Sequence, residues 1–436
     1  MNTPPAPQKI PTKTKTTIAL FNYGGGMRGL IPAHIMSKIE DATGLRMSEM
    51  VDIFAGPSTG SILNAAMTLR HPDEPSQPKY RARHMVRFYE REGERIFPPD
   101  SFREFRGLIH DFNNRTMKLN QLNNLFRHGH YDPTHLAAAL RALYGDAKLR
   151  DSLSSLIIPT YNIDSGHITA VREVNETGNS PVHTQNNVTD QGGHAVWLKN
   201  IRSGVLKNSN KGETPDVRLF DAVMASAAAP TYFPCHPFTT RYQGQEEDTH
   251  YSGIDGCIFD NPCISYMGAI RQHVPDDSRL LMIVLGTGYT NKSIKKEDWN
   301  RYGALGVVDP ANDLPLINIL FNASESALMD AFETEMGQNL FVFNKSLFSL
   351  DRSVAPSTQI DDASPETLKR LRFFVEALME EKKDRFDEVC HLLVTNRDRR
   401  VEEHREKIRK TRAKRFFSFF SGKDDMVAYE DRSTPV

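Results

Sequence analysis

Residues 17–29, TIALFNYGGGMRG, decide the fold, because an apolar run stops abruptly at three consecutive glycines. A run such as TIALF is typical of a short strand that is buried on both faces of a sheet. Beyond the glycines, Ile31, Ile35 and Ile39 recur at helical spacing, and Pro32 is tolerated because it falls in the first helical turn. The segment therefore predicts a strand, a glycine turn and a helix in succession.

The same pattern returns within thirty residues. Residues 51–54 predict a second short strand, residues 56–60 (GPSTG) a tight turn, and residues 62–69 a helix. Two such units in succession indicate an α/β fold with a central, mostly parallel sheet. In sheets of this kind the loops at the carboxyl ends of the strands carry the chemistry.

Composition excludes several classes of protein. The chain has 436 residues, of which 25% are charged and 39% hydrophobic, as is typical of an enzyme-sized globular protein. Its formal net charge of −1 favours no nucleic-acid partner. The longest apolar run, residues 280–285, is far shorter than the roughly 18 residues of a membrane span. The four cysteines have neither the spacing of a metal site nor that of a disulfide framework.

The GPSTG turn fits the pattern G-x-S-x-G. In a nucleophile elbow of this type, a sharp strand-to-helix turn exposes the serine hydroxyl, here that of Ser58, and flanking glycines such as Gly56 and Gly60 avoid clashes. The helix that follows directs its N-terminal amides towards the same place, which favours a developing negative charge. An ordinary glycine-bounded turn would give the same letters, so the pattern alone does not establish a nucleophile.

The triple glycine allows two interpretations. Gly24, Gly26 and Gly29 satisfy the dinucleotide pattern G-x-G-x-x-G, but no acidic residue ends a second strand about twenty positions later. The alternative is an oxyanion hole beside Ser58, because glycines leave their backbone N–H groups unobstructed. A third element is Asp255, followed by Gly256. This carboxylate can act as a base for the serine if it is desolvated or placed close to the hydroxyl.

Together these elements resemble the patatin-like phospholipase family. The resemblance covers residues 17–289 and rests on six ordered matches: GGGMRG (24–29), GPSTG (56–60), ASAAAPTYFP (225–234), DGC (255–257), DNP (260–262) and VLGTG (284–288). It implies a patatin-like three-layer core and a Ser–Asp dyad, with Ser58 as the nucleophile and Asp255 as its base. The departures from the family pattern are Tyr23 before the glycines, Pro57 before the serine and Cys257 after DG.

The resemblance also assigns the remaining site residues. It implies an oxyanion hole formed by the amides of Gly24, Gly25, Gly26 and Met27, with Arg28 in the family's arginine position. The implied reaction is hydrolysis of acyl esters of phospholipids or lysophospholipids through an acyl-serine, by a phospholipase A-type serine esterase. No metal or other cofactor is implied, and the implied partner is a phospholipid membrane surface. Whether an activating partner is needed stays open.

Three alternatives remain. An ordinary α/β-hydrolase triad would need a late histidine, for which His273 and His391 are the candidates. A neutral-lipid or small-ester esterase would share every motif. A catalytically idle lipid-binding or interaction protein is the alternative from outside the enzymes, although it would not need both Ser58 and Asp255.

The chain divides into four predicted regions. We expect a flexible arm at residues 1–15, a catalytic domain at 16–290 with its core extending to about 347, a helical region at 348–404, and a basic and aromatic tail at 405–436. Ser364 is predicted to cap an amphipathic helix that begins at Pro365 and continues in one register through Leu393.

The composition of the predicted tail indicates where in the cell the protein is located. Residues 405–415 contain seven basic side chains and one acidic one, and FFSFF follows at 416–420. Basic and aromatic residues in succession favour peripheral docking on a membrane. Residues 1–20 lack the apolar segment of a cleaved signal. We therefore expect a cytoplasmic, peripherally membrane-associated protein, with export without a cleaved signal still open.

Overall fold

The structure is a computed structural model, and it describes nine stretches of the chain. These are residues 15–98, 131–164, 171–172, 184–185, 192–200, 214–242, 248–290, 293–307 and 315–420. The predicted N-terminal arm, apart from Lys15, and residues 421–436 of the predicted tail lie outside the described residues.

The strands within these stretches form one large sheet and one small ribbon. They are β1 (Lys15–Asn22), β2 (Ile53–Ala55), β3 (Ser155–Asn162), β4 (Val171–Arg172), β5 (Thr184–Gln185), β6 (His194–Asn200), β7 (His236–Thr240), β8 (Thr249–Asp255), β9 (Ser278–Leu285) and β10 (Leu340–Phe343). The large sheet has the order β10-β9-β1-β2-β3-β8-β7, with β6 beside β3, while β4 pairs with β5. From β10 to β3 all neighbours are parallel, and β6, β7 and β8 are joined antiparallel.

Helices cover both faces of the sheet. They are α1 (Leu30–Thr43), α2 (Met47–Met50), α3 (Ser58–Thr68), α4 (Ala82–Ile96), α5 (Pro133–Tyr144), α6 (Leu219–Ser226), α7 (Pro262–Ser265), α8 (Lys296–Gly306), α9 (Pro315–Met336), α10 (Pro365–Glu381) and α11 (Lys383–Phe420). Alternate residues of β1 enter two separate apolar cores, since Ile18 and Leu20 pack on one face and Ala19 and Phe21 on the other. This three-layer arrangement confirms the predicted α/β class with its mostly parallel sheet and C-terminal helices.

The C-terminal helices follow the sequence prediction at their start and depart from it in the middle. Ser364 caps α10, because its hydroxyl oxygen accepts a hydrogen bond of 3.3 Å from the Thr367 amide. The single register predicted through Leu393 is wrong, since α10 ends at Glu381 and α11 begins at Lys383. Lys382 interrupts the helix with φ −103° and ψ 19°.

The last helix is anchored at the edge of the sheet where β1 and β2 begin. Asp52, which directly precedes β2, is only 4% exposed and binds the Arg400 guanidinium as well as the Asn396 amide, the latter at 3.3 Å. Arg399 donates to the carbonyl of Thr16, the second residue of β1, at 3.1 Å. α11 therefore packs at the amino-terminal edge of the parallel strands, opposite the edge that carries the glycine turns.

No helix within the described residues combines the length and the apolar character needed to cross a bilayer.

Candidate active site

The turn between β2 and α3 holds Ser58 in an uncommon conformation. Its φ is +52°, in the left-handed region that non-glycine residues rarely adopt. A Cβ on Gly56 would lie 2.0 Å from the Asn22 carbonyl oxygen, and one on Gly60 only 2.1 Å from the same atom. Both glycines are required because the end of β1 passes directly against the turn. The elbow predicted from G-x-S-x-G is thus present as backbone geometry, with the Ser58 side chain half-buried.

Ser226 fixes this elbow from the neighbouring helix. The Ser58 amide donates to the Ser226 hydroxyl at 3.1 Å, and that hydroxyl donates to the Pro159 carbonyl at 2.6 Å. The elbow is thereby tied to both α6 and β3. Ser58 itself is the first residue of α3, so the positive end of this helix lies at the serine.

Asp255 ends β8 and lines the same crevice as Ser58. It is 1% exposed, and burial raises the pKa of its carboxyl to about 7, while the Ser58 hydroxyl opposes this rise by stabilising the carboxylate. Within the described part of the chain, neither carboxylate oxygen accepts a hydrogen bond of standard geometry, although the Ser58 hydroxyl and the Cys257 amide lie close enough to favour the carboxylate. The serine and the aspartate are therefore neighbours across the crevice without a closed hydrogen bond between them. Gly256 allows this placement, because a Cβ there would lie 2.3 Å from the Pro159 carbonyl oxygen.

The glycine loop after β1 is held from three sides. The Gly24 amide donates to both carboxylate oxygens of Asp260, at 2.9 and 3.0 Å. The Gly24 carbonyl accepts a hydrogen bond of 2.6 Å from the Thr287 hydroxyl. The Met27 amide donates to the Ile360 carbonyl at 2.7 Å. Two of the four amides expected to form an oxyanion hole, those of Gly24 and Met27, are thus engaged elsewhere.

The other two amides, of Gly25 and Gly26, have no acceptor among the described residues. In a trans peptide the N–H points away from the carbonyl of the preceding residue. Because the Gly24 carbonyl faces Thr287, the Gly25 amide faces the opposite way. The Gly25 carbonyl accepts from the Arg28 amide at 3.1 Å, which in the same way fixes the direction of the Gly26 amide.

Arg28 brings a positive charge to the crevice. Its side chain is half-buried, and its Nη1 donates to the Gly288 carbonyl at 3.5 Å. Burial lowers the pKa of the guanidinium to about 10, although the nearby Tyr232 and Asp260 favour the charged form. Its Nε is buried and has no acceptor within the described residues. Gly29 lets this loop meet α3 and α4, since a Cβ there would lie 2.3 Å from Thr59 Oγ1.

A second, apolar pocket also has Ser58 in its lining. It runs between α4 and the chain after α6, and it reaches the glycine loop at Gly26. Its apolar lining includes Met27, Ile62, Phe88, Phe97, Leu136 and Phe233. Ser58 therefore lines both a polar crevice and an apolar pocket.

The candidate triad histidines lie away from this crevice. Neither pocket at Ser58 has a histidine among its described lining residues. His273 precedes β9 and is buried, whereas His391 is exposed on α11. Within the described residues, no group of three or more His, Cys, Asp or Glu side chains is arranged to hold a metal ion.

The general class of this protein is α/β. It has a mostly parallel sheet, and a serine elbow lies at the carboxyl edge of that sheet. The match to the patatin-like phospholipase family model extends over residues 23–267, more than half of the chain. The chain belongs to the patatin-like phospholipase family, as its motifs predicted.

Plant proteins are among its relatives. The chain is 23% identical to patatin-like protein 2 of Oryza sativa subsp. indica, with 88% of each chain covered. It is 26% identical to patatin-like protein 2 of Arabidopsis thaliana, over 74% of this chain and 73% of the relative. It is also 24% identical to a Solanum tuberosum protein named "Probable inactive patatin-3-Kuras 1", over 78% of this chain and 80% of the relative.

Several residues that shape the site were not assigned a role from the sequence. Asp260 and Thr287 orient the Gly24 peptide, Ser226 supports the elbow, and Ile360 receives the Met27 amide. The first three lie within segments that resemble the family, DNP, VLGTG and ASAAAPTYFP, and this was the available signal. Ile360 contributes only a backbone carbonyl, which no sequence pattern identifies.

Proposed function

We propose that the protein is a lipid acyl hydrolase that cleaves acyl esters of phospholipids or lysophospholipids, with Ser58 as the nucleophile and Asp255 as the base. The observation that carries this proposal is the buried Asp255 carboxyl beside a strained, accessible serine in a crevice without histidine among its described residues. A carboxyl with a pKa near 7 is matched to proton transfer from a hydroxyl near neutral pH. Membership of the family supports the same reaction class.

The proposed reaction has two halves. Ser58 Oγ forms a bond to the ester carbonyl carbon while Asp255 takes the hydroxyl proton. The tetrahedral intermediate then breaks its bond to the alcohol oxygen, which leaves with that proton, and an acyl-serine remains. Water attacks the acyl-serine, again giving its proton to Asp255, and the fatty acid is released as Ser58 recovers its hydrogen.

We assign the oxyanion hole to the amides of Gly25 and Gly26. Both are without an acceptor in the described structure, and contacts of the neighbouring peptides fix their direction. Preorganised donors of this kind need no rearrangement when the negative charge develops. The partial positive charge at the start of α3 adds to the same stabilisation.

Thr287 is a positioning residue in this scheme, and replacing it with valine should lower kcat for ester hydrolysis by about 10- to 100-fold. Loss of a complete oxyanion donor lowers kcat by about 10²- to 10³-fold, and a donor that is only misdirected lowers it less. KM should change little, because Thr287 does not contact the substrate in this scheme. Thr287→Ser retains the hydroxyl and should restore kcat, whereas an unchanged kcat in Thr287→Val would contradict the assignment.

Arg28 favours a phospholipid over a neutral lipid as the substrate, because its charge and its unsatisfied Nε lie in the crevice. A hydrogen bond to a charged group contributes about 1.5–3 kcal/mol. Arg28→Gln should therefore lower kcat/KM for phosphatidylcholine by about 10- to 100-fold, relative to a triacylglycerol assayed with the same variant. An equal loss with both lipids would favour a neutral-lipid or small-ester esterase.

The direct test is fatty-acid release from mixed phospholipid vesicles in the presence of EDTA. Metal-independent release supports the proposal. Hydrolysis of short esters alone would indicate a small-ester esterase. Absence of release with every ester, by a correctly folded chain, would contradict the proposal and favour the catalytically idle alternative.

A further inference from the structure

A stripe of arginines follows the outer side of α4. Arg83, Arg87, Arg91 and Arg95 recur at intervals of four residues and are all exposed. Side chains at this spacing share one side of a helix, with about 6 Å of rise between neighbours. The stripe borders a groove of about 520 Å³ between α4 and α5. We call this groove the arginine groove, and its principal lining residues are Arg87, Phe88, Arg91, Glu92, Arg95 and His135.

Little of this charge is neutralised by the residues that the structure describes. Among the described residues, no carboxylate lies within ion-pair distance of Arg83, Arg87 or Arg91, while Arg95 pairs with Glu92 at 3.4 Å. Like charges four positions apart repel one another and destabilise a helix. An external anion bound along the stripe would relieve this repulsion, so the charge pattern fits an anionic partner.

The arginine groove lies one helix away from the proposed nucleophile. Phe88 lines both this groove and the apolar pocket beside Ser58. From the inner face of α4, the Tyr89 hydroxyl contacts the hydroxyl of Thr59, which follows the serine in the chain. A helix with its side chains is about 10–12 Å across. A surface that contacts the arginines is therefore close to the pocket that would receive an acyl chain.

The described part of the predicted C-terminal tail, residues 405–420, is placed differently. It continues from the part of α11 in which Arg399 and Arg400 contact Thr16 and Asp52, at the amino-terminal edge of the sheet. Ser58 and the glycine loop lie at the carboxyl edge. Of the two basic segments, the one on α4 is thus the closer to the crevice.

We propose that the arginine groove is the docking surface of this protein for membranes containing anionic phospholipids. Guanidinium groups bind phosphate oxygens in a bidentate manner, and a row of them fits a surface of headgroups better than it fits one free phosphate. The half-buried ring of Phe88 offers apolar contact at the same place. This inference rests on the proposed function, because it concerns how a lipid substrate is presented to Ser58.

The test is vesicle co-sedimentation of the full chain carrying Ser58→Ala, so that binding is measured without hydrolysis. Arg87→Gln/Arg91→Gln should weaken binding to phosphatidylcholine–phosphatidylserine vesicles about 30-fold, since each basic residue near an anionic surface contributes about 1 kcal/mol. Arg405→Gln/Arg409→Gln on α11 is the matched control, with the same spacing and charge change, and it should bind as the parent does. With an active Ser58, the α4 pair should hydrolyse a soluble short-chain ester at the normal rate.

Unchanged binding of the α4 pair, or a loss confined to the α11 pair, would overturn the proposal. The proposal would also be overturned if the parent chain bound pure phosphatidylcholine vesicles as tightly as anionic vesicles. Tighter binding of the parent to a single-stranded RNA than to anionic vesicles, at the same salt concentration, would overturn it too. Failure of the proposed function has a different signature. In that case the wild type hydrolyses neither vesicle lipid nor soluble ester, while arginine-dependent vesicle binding persists and supports the docking surface.

Discussion

Replacing Ser58 with alanine is expected to lower fatty-acid release from phospholipid vesicles by about 10⁴- to 10⁶-fold, the range that loss of an enzyme's nucleophile produces. The elbow holds this hydroxyl accessible at the start of α3, and no other serine in the described structure lines either pocket around it. Ser349→Ala, at an exposed serine of the same chain, is the matched control and should retain full activity. Substantial release by Ser58→Ala would show that another group attacks the ester.

The conformation of Ser58 adds a second readout to this substitution. At φ +52°, a side chain with a Cβ is strained by about 1–2 kcal/mol, and Gly is not. Gly also gives the unfolded chain more conformational freedom, which reduces the stability gained from relieving this strain by about 0.4–1 kcal/mol. Ser58→Gly should therefore be as inactive as Ser58→Ala but more stable by about 0.5–1 kcal/mol in denaturant unfolding. Lower stability of the glycine variant would argue against strain at the elbow.

Replacing Asp255 with asparagine is expected to be nearly as damaging to activity and to remove its pH dependence. A base must be ionised, and burial raises the pKa of this carboxyl to about 7. In the wild type, kcat/KM should therefore rise about tenfold per pH unit below 7 and level off above it. Asparagine has the same shape but accepts no proton. Activity that survives in Asp255→Asn with its pH profile intact would assign the base to another residue.

The same substitution should stabilise the protein above neutral pH. The folded pKa of about 7 lies above the ordinary value of 3.8, so the folded state holds the proton more tightly than the unfolded state does. The unfolding free energy should consequently fall as the pH rises from about 4 through 7. Asp255→Asn removes this loss of unfolding free energy. At about 1.4 kcal/mol per pKa unit, the gain in stability is up to about 4 kcal/mol at pH 8. Equal melting temperatures for both chains at pH 8 would contradict the desolvation of Asp255.

Local patterns were sufficient to predict the first two strand–turn–helix units of the fold, which end at Thr68. The apolar run before Gly24 and the G-x-S-x-G turn each combine a strand, a turn and a helix within thirty residues, so periodicity and glycine placement predict them directly. The break at Lys382 was missed because apolar spacing continues on both sides of it. Nothing in the local composition, neither proline nor glycine, marks the end of α10.

The candidate site was predictable only in part. Motifs predict Ser58 and Asp255 as site residues, but the state of the loop amides depends on contacts between residues that are far apart in sequence. Asp260 reaches Gly24 across 236 positions and Thr287 does so across 263. The sequence therefore suggests four oxyanion donors, whereas the packed structure leaves two of them without an acceptor in its described part.

The three contacts that hold the glycine loop also order events during synthesis. The nucleophile elbow emerges from the ribosome early, but Asp260, Thr287 and Ile360 are translated much later. The strand that flanks β1 on the side away from β2 is β9, which is itself near residue 280. A nascent chain that stops before residue 360 thus already carries its serine but lacks at least one of the three partners that shape the loop beside it. The loop beside Ser58 would then take its final form only after about 300 further residues have been synthesised, long after the elbow itself.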